Sequence, residues 1–123
     1  MEMWEKTATE KYLKAMRYEV ITEDEAGVFQ FVAKDTEDDC VVFIRVKGVE
    51  CTSKFDANSF PEFRWNQKTR EELESAAIRW YISRKDTIDM LIGQFRFDDI
   101  GIIRTVSGAA LVQHHENAGG NGC

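Results

Sequence analysis

Between Cys40 and Lys47 the chain reads CVVFIRVK, a run of valine, isoleucine and phenylalanine with no proline or glycine. β-Branched and aromatic residues fit a pleated, buried surface, so this run predicts a central strand. Alternation puts Val41, Phe43, Arg45 and Lys47 on one face and Cys40, Val42, Ile44 and Val46 on the other. Two cations therefore end an apolar strand side by side on one face, a placement that needs a reason.

The pattern elsewhere predicts two helices and four more strands. Trp4, Ala8, Tyr12 and Ala15 recur at three- and four-residue spacing, which predicts a first helix over Trp4 to Met16. Tyr18 to Thr22 reads as a strand, the acidic run Glu23 to Gly27 as a turn, and Val28 to Ala33 as a second strand with Val28, Gln30 and Val32 on one face. The polar turn Lys34 to Asp39 leads into the central strand, so the second and third strands are expected to form an antiparallel hairpin. Gly48 to Trp65 has no clean periodicity and carries the only proline, Pro61, with Phe55, Phe60, Phe63 and Trp65. A long loop of this kind is usually functional or mobile.

Leu73, Ala76, Ala77, Trp80, Tyr81 and Arg84 trace one stripe of a second helix over Asn66 to Arg84, with Thr69 and Glu72 spaced for a capping box. Gly93 to Ile103 and Ala109 to His115 read as two final strands joined at Val106 to Gly108. The sum is an α/β domain: one mixed five-stranded sheet flanked by helices, residues 1–118, followed by a disordered tail, 119–123.

Composition changes this picture little. A chain of 123 residues is expected to hold one domain with a real core. The N-terminus lacks the apolar segment of a secretory signal, and no run approaches a membrane span, so a cytoplasmic protein with no membrane association is expected. Cys40, Cys51 and Cys123 are odd in number and form no C-x-x-C pair, which predicts reduced thiols and no zinc site. The net charge of −6 argues against non-specific adhesion to nucleic acid. Yet from Arg45 to Lys85 nine Lys/Arg stand against six Asp/Glu, while the remainder holds seven against sixteen. One mildly basic segment sits inside an acidic chain, which permits a phosphate-contacting face.

Two readings of Arg45 and Lys47 compete. In one they form an anion site, a planar fork of donors beside a point charge. In the other they are neutralised internally by the acidic turns at Asp24–Glu25 and Asp35 to Asp39, as buried charges usually are. The four loop aromatics either stack bases or dock a partner, including a second copy, or else fold back over the core. His114 and His115 are adjacent in a strand, so they point to opposite faces and cannot share an ion.

Six segments resemble, in order and almost end to end, the YraN-like family of small bacterial predicted endonucleases. YLKAMRYEVI (Tyr12 to Ile21) is similar to that family's YLxxxGYxIL, GVFQFVA (Gly27 to Ala33) to GEIDLIA, and VVFIRVK (Val41 to Lys47) to LVFVEVK. The helix around Lys68 and Leu73 to Trp80, FRFDDIGI (Phe95 to Ile102) and HHENA (His114 to Ala118) resemble the family's later motifs. The resemblance implies the restriction-endonuclease-like fold of the PD-(D/E)XK nucleases. There, an Asp and a Glu hold Mg²⁺ and a Lys orients the attacking water.

The departures bear on activity. The metal-binding Asp position is Gln30, the Glu position is Arg45, and only Lys47 keeps the family residue. In addition, Val28 and Arg17 replace a Glu and a Gly, and Glu5 does not align cleanly with the acid expected in the first helix. A guanidinium cannot bind a cation, and a lone amide is a weak magnesium ligand. The expectation is therefore a nuclease-fold, catalytically inactive, nucleic-acid-binding protein that uses Arg45, Lys47, Lys54, Lys68 and Arg70, with no metal site and no cofactor. The alternatives are a magnesium-dependent nuclease with relocated carboxylates such as Glu50 or Asp35, and a protein-interaction module using Phe55, Phe60, Phe63 and Trp65.

Overall fold

A computed structural model describes residues 1–24, 27–51, 54–84 and 95–120. The expected Glu25, the start of the fourth strand at Gly93–Gln94, Lys85 and the end of the tail, 121–123, lie outside the described residues. The elements are α1 (Met3–Ala15), β1 (Tyr18–Glu23), β2 (Phe31–Asp35), β3 (Cys40–Glu50), α2 (Gln67–Arg84), β4 (Phe95–Arg104) and β5 (Ala110–His115). A single 3₁₀ turn, Ala57–Ser59, interrupts the segment between β3 and α2.

The sheet runs in chain order, β1-β2-β3-β4-β5. All neighbours are antiparallel except β3 and β4, which are parallel. A parallel pair needs a crossover connection, and the segment carrying α2 supplies it. The alternation expected of β3 divides the core as it should. Val42, Ile44 and Val46 join Leu13, Phe31, Ala33, Ile100 and Ile102 beneath α1. Val41 and Phe43 join Val32, Leu73, Ala76, Ala77 and Phe97 beneath α2. Phe43 is fully buried and meets the rings of Phe29, Trp80, Tyr81, Phe95 and Phe97.

Four local expectations are corrected. β2 begins three residues later than Val28 and runs to Asp35, because Gly27 to Gln30 form a bend, in which the Gln30 N–H still reaches the Ile44 carbonyl at 2.8 Å. β3 extends past Lys47 to Glu50, where Gly48, Val49 and Glu50 still pair with Ile102, Ile103 and Arg104. The cap of α2 is Asn66, whose Oδ1 accepts the Thr69 N–H at 2.8 Å, rather than a Thr69–Glu72 box. Gly119, assigned to the tail, is buried, and its carbonyl accepts a hydrogen bond from Arg70 Nη1 at 2.6 Å.

The thiols also differ from expectation. Cys40 is 1% exposed and disulfide-bonded, while Cys51 is free. An odd count of three is as compatible with one bridge and one spare thiol as with none. No helix of the described residues is long and apolar enough to cross a membrane.

Candidate functional site

The site grows from the parallel register of β3 and β4. Arg45 stands opposite Asp99, so both side chains leave the sheet on the α2 face from adjacent strands. Arg45 Nε donates to Asp99 Oδ1 at 2.7 Å and Nη2 to Oδ2 at 2.8 Å. This is the planar fork-to-carboxylate match that gives strong charge-assisted bonds. The remaining arm, Nη1, donates to the Arg64 carbonyl at 3.2 Å. The Trp65 indole N–H supplies Asp99 with a third donor, at 2.6 Å to Oδ2. The Arg45 side chain is 13% exposed and that of Asp99 2%, so both charges are desolvated and both are fully met.

The segment between β3 and α2 closes over this pair. The Arg45 guanidinium carbon lies 4.5 Å from the Trp65 ring centre and 5.2 Å from that of Phe63. Lys47 donates to the Glu62 carbonyl at 2.9 Å, with its ammonium 4.9 Å from the Phe63 ring. Phe60 and Pro61 lie against Gly101 of β4, where a Cβ would stand only 3.3 Å from Pro61 Cδ. A side chain there would require Pro61 to give by a few tenths of an ångström. Three of the four loop aromatics thus fold back, and Phe55 alone remains exposed, at 42%. A cleft of about 420 Å³ stays open beside the segment, lined by Phe60, Phe63, Trp65, Asp99, Gln113 and His115 among others.

Internal neutralisation of Arg45 is therefore present, but not by the acidic turns. Asp35 and Asp38 serve Arg96, Asp39 pairs with Lys34, and Glu37 reaches Arg17 at 3.9 Å. Gln30 does not bond Arg45 in the described contacts. Its Oε1 accepts the Val46 N–H at 2.7 Å and its Nε2 donates to the Gly27 carbonyl at 3.0 Å. The side chain stands in for the ladder partner that β2 gives up by starting late. Gln30→Ala should lower stability by about 1–3 kcal/mol, the cost of an unmet buried amide, in urea denaturation.

The other candidates separate by exposure. Lys54 and Lys68 are exposed, whereas Arg70 is committed to the Gly119 carbonyl and to the Trp65 ring at 5.4 Å. Glu50 is exposed and pairs with Arg104 at 3.5 Å. These residues do not fit a magnesium ion. Gln30 spends its oxygen on the backbone, Arg45 is a cation, and Asp99 is filled by three donors. Among the described residues no three His, Cys, Asp or Glu cluster as a metal would need.

A second polar network lies on the α1 face of β4. Arg96, whose side chain is 2% exposed, reaches Asp98, Asp35 and Asp38 at 2.9–3.1 Å and also donates to the Tyr18 hydroxyl. His114 joins Asp98 at 2.7 Å through Nε2 and Tyr12 at 2.8 Å through Nδ1. His115, on the other face, reaches Gln113. Burial alone would push the Asp98 carboxyl up. The hydrogen bonds from His114, Arg96 and the Asn117 N–H, with the Arg96 charge, hold it below the usual carboxylate range. Burial beside Asp98 pushes the Tyr18 hydroxyl upward.

Sequence reasoning missed Asp99, Arg96 and Asp98 as organisers of these sites. Part of the signal was present: Arg96 and Asp98 are two apart in a strand and must share a face, while Asp99 must take the other. The chain is an α/β domain whose α2 face carries a buried Arg–Asp pair beneath an aromatic segment. No family model matches it, and no curated protein sequence does.

Proposed function

We propose that this chain is a restriction-endonuclease-like domain that binds nucleic acid without cleaving it. The observation that carries the reading is the Arg45–Asp99 pair. It occupies the strand position where the resemblance expects a magnesium-binding glutamate, and it is sealed by Phe63 and Trp65. Strand order, with three antiparallel strands followed by one parallel to the third, is compatible with that fold.

The binding role shifts outward from the residues expected to carry it. Arg45 and Arg70 are engaged internally, which leaves Lys47, Lys54, Arg64, Lys68 and Arg79 as the exposed cations among the described residues of the basic segment. Lys47 is exposed and stands at Phe63, which lines the open cleft, so a phosphate can meet the ammonium from solvent.

The test is a mobility shift on duplex, branched and single-stranded DNA, run with a plasmid-cleavage assay in Mg²⁺ and Mn²⁺. Binding should weaken steeply with salt, and Lys47→Glu with Lys68→Glu should reduce affinity about tenfold or more and flatten the salt slope. Chelator-sensitive cleavage, or no shift on any substrate, would overturn the reading.

A further inference from the structure

The two outer strands of the sheet are built differently. β1 carries Glu19 and Glu23, and its ladder with β2 is broken between Val20 and Thr22. Charges and bulges on an edge strand obstruct the addition of another strand. β5 has neither. Its register with β4 runs unbroken from Ala110 to His115. Residues 105–115, which contain β5, are also the longest stretch of the chain without Asp, Glu, Lys or Arg. In a chain of which 31% is charged, that edge is conspicuously unguarded.

Beside this edge runs a groove of about 1020 Å³ between the N-terminal half of α1 and the β4–β5 hairpin. Trp4 and Ala8 line it from the helix and Ala110 and Val112 from the strand, with Lys11 and Arg104 also in the lining. Lys11 forms no ion pair among the described residues. The one carboxylate present, Glu2, is occupied by the Trp4 indole N–H and by the start of α1. A strand laid along β5 would send every second side chain to the α1 face, which is where Ala110 and Val112 point.

We propose that β5 and this groove bind an extended peptide of a partner protein by strand addition. Apolar side chains at alternate positions enter the groove, and an acidic side chain meets Lys11, beside the Arg104–Glu50 pair. Main-chain bonds give such complexes affinity, and pockets for alternate side chains give them specificity. A second copy of the chain fits this groove less well. Its β5 would bring Ala110, Val112 and His114 to the α1 face, of which His114 is already held by Asp98 and Tyr12, leaving two small side chains for about 1020 Å³ and no acid within the strand to meet Lys11. The proposal is independent of nucleic-acid binding, since the edge and groove lie on the α1 face.

The experiment is selection of random phage-displayed peptides on the full chain, followed by fluorescence anisotropy with labelled synthetic versions. Selected sequences should alternate apolar residues and include Asp or Glu. N-methylation of the peptide amides that face β5 should weaken binding about tenfold or more, while methylation of the alternate amides leaves it unchanged. Lys11→Glu, an exposed change that spares the fold, should also cost about tenfold. Hydrogen exchange in β5 should slow when peptide is bound. The proposal fails if no sequence is enriched, or if binding ignores both N-methylation and Lys11→Glu. It also fails if β5 is protected in the chain alone as its concentration rises and its mass doubles, because the edge would then be an interface between copies.

Discussion

Asp99→Ala should cost about 3–5 kcal/mol of unfolding free energy, the penalty for leaving one partner of a desolvated ion pair behind. The variant strands the Arg45 guanidinium between Phe63 and Trp65 with only the Arg64 carbonyl to meet it. It also leaves the Trp65 indole N–H without its acceptor. A cycle with Arg45→Met separates the two losses. In that background Asp99 is itself a buried carboxylate without its counter-ion, so relief of that charge offsets the lost indole bond and Asp99→Ala should cost far less than in the parent. Urea denaturation of the four proteins measures both steps. An unchanged cost in the Arg45→Met background would show that Asp99 acts through something other than the pair.

Arg96→Met should be comparably damaging at neutral pH, about 3–5 kcal/mol, because the Asp98 and Asp35 carboxylates lose their buried counter-ion. Its pH dependence should run opposite to that of the parent. In the parent, Asp98 is held below its ordinary value of 3.8, so its contribution is complete above that value and is lost as pH falls through the depressed one. Without the guanidinium, burial dominates and raises the carboxyl, so the variant should gain stability as pH drops from neutral toward about 4.5. The gap between parent and variant should therefore narrow in acid. Denaturation midpoints at the two pH values check it, and a constant or widening gap would refute the assignment.

The elements that sequence reasoning found are those set by local pattern. The two faces of β3, the stripe of α2, the antiparallel hairpin into β3 and the turn before β5 all follow from side-chain periodicity and turn chemistry. The functional site was only half legible. That Arg45 and Lys47 share a face is a property of one strand; that Arg45 meets Asp99 depends on how β3 and β4 align across an intervening helix. No local rule sets that alignment. The fold-back of Phe60 and Trp65 escaped for a related reason, since Gly101 and Gly119, distant in sequence, open the space against which they lie. The pattern of Val28 to Ala33 puts Gln30 in a strand, and periodicity cannot show that its side-chain amide, rather than a backbone group, meets the Val46 N–H.

The single parallel pairing has a consequence for how the chain assembles. β1 to β3 can zip through near neighbours, as can β4 with β5, and neither half needs the other to begin. Their joining brings Val41 to Phe95, fifty-four residues along the chain. Loop-closure entropy must be met before the contacts of that seam return anything, so its pairing is expected to be the late step of assembly. Arg45 and Asp99 sit on the seam itself, and they find each other only when the two halves have docked.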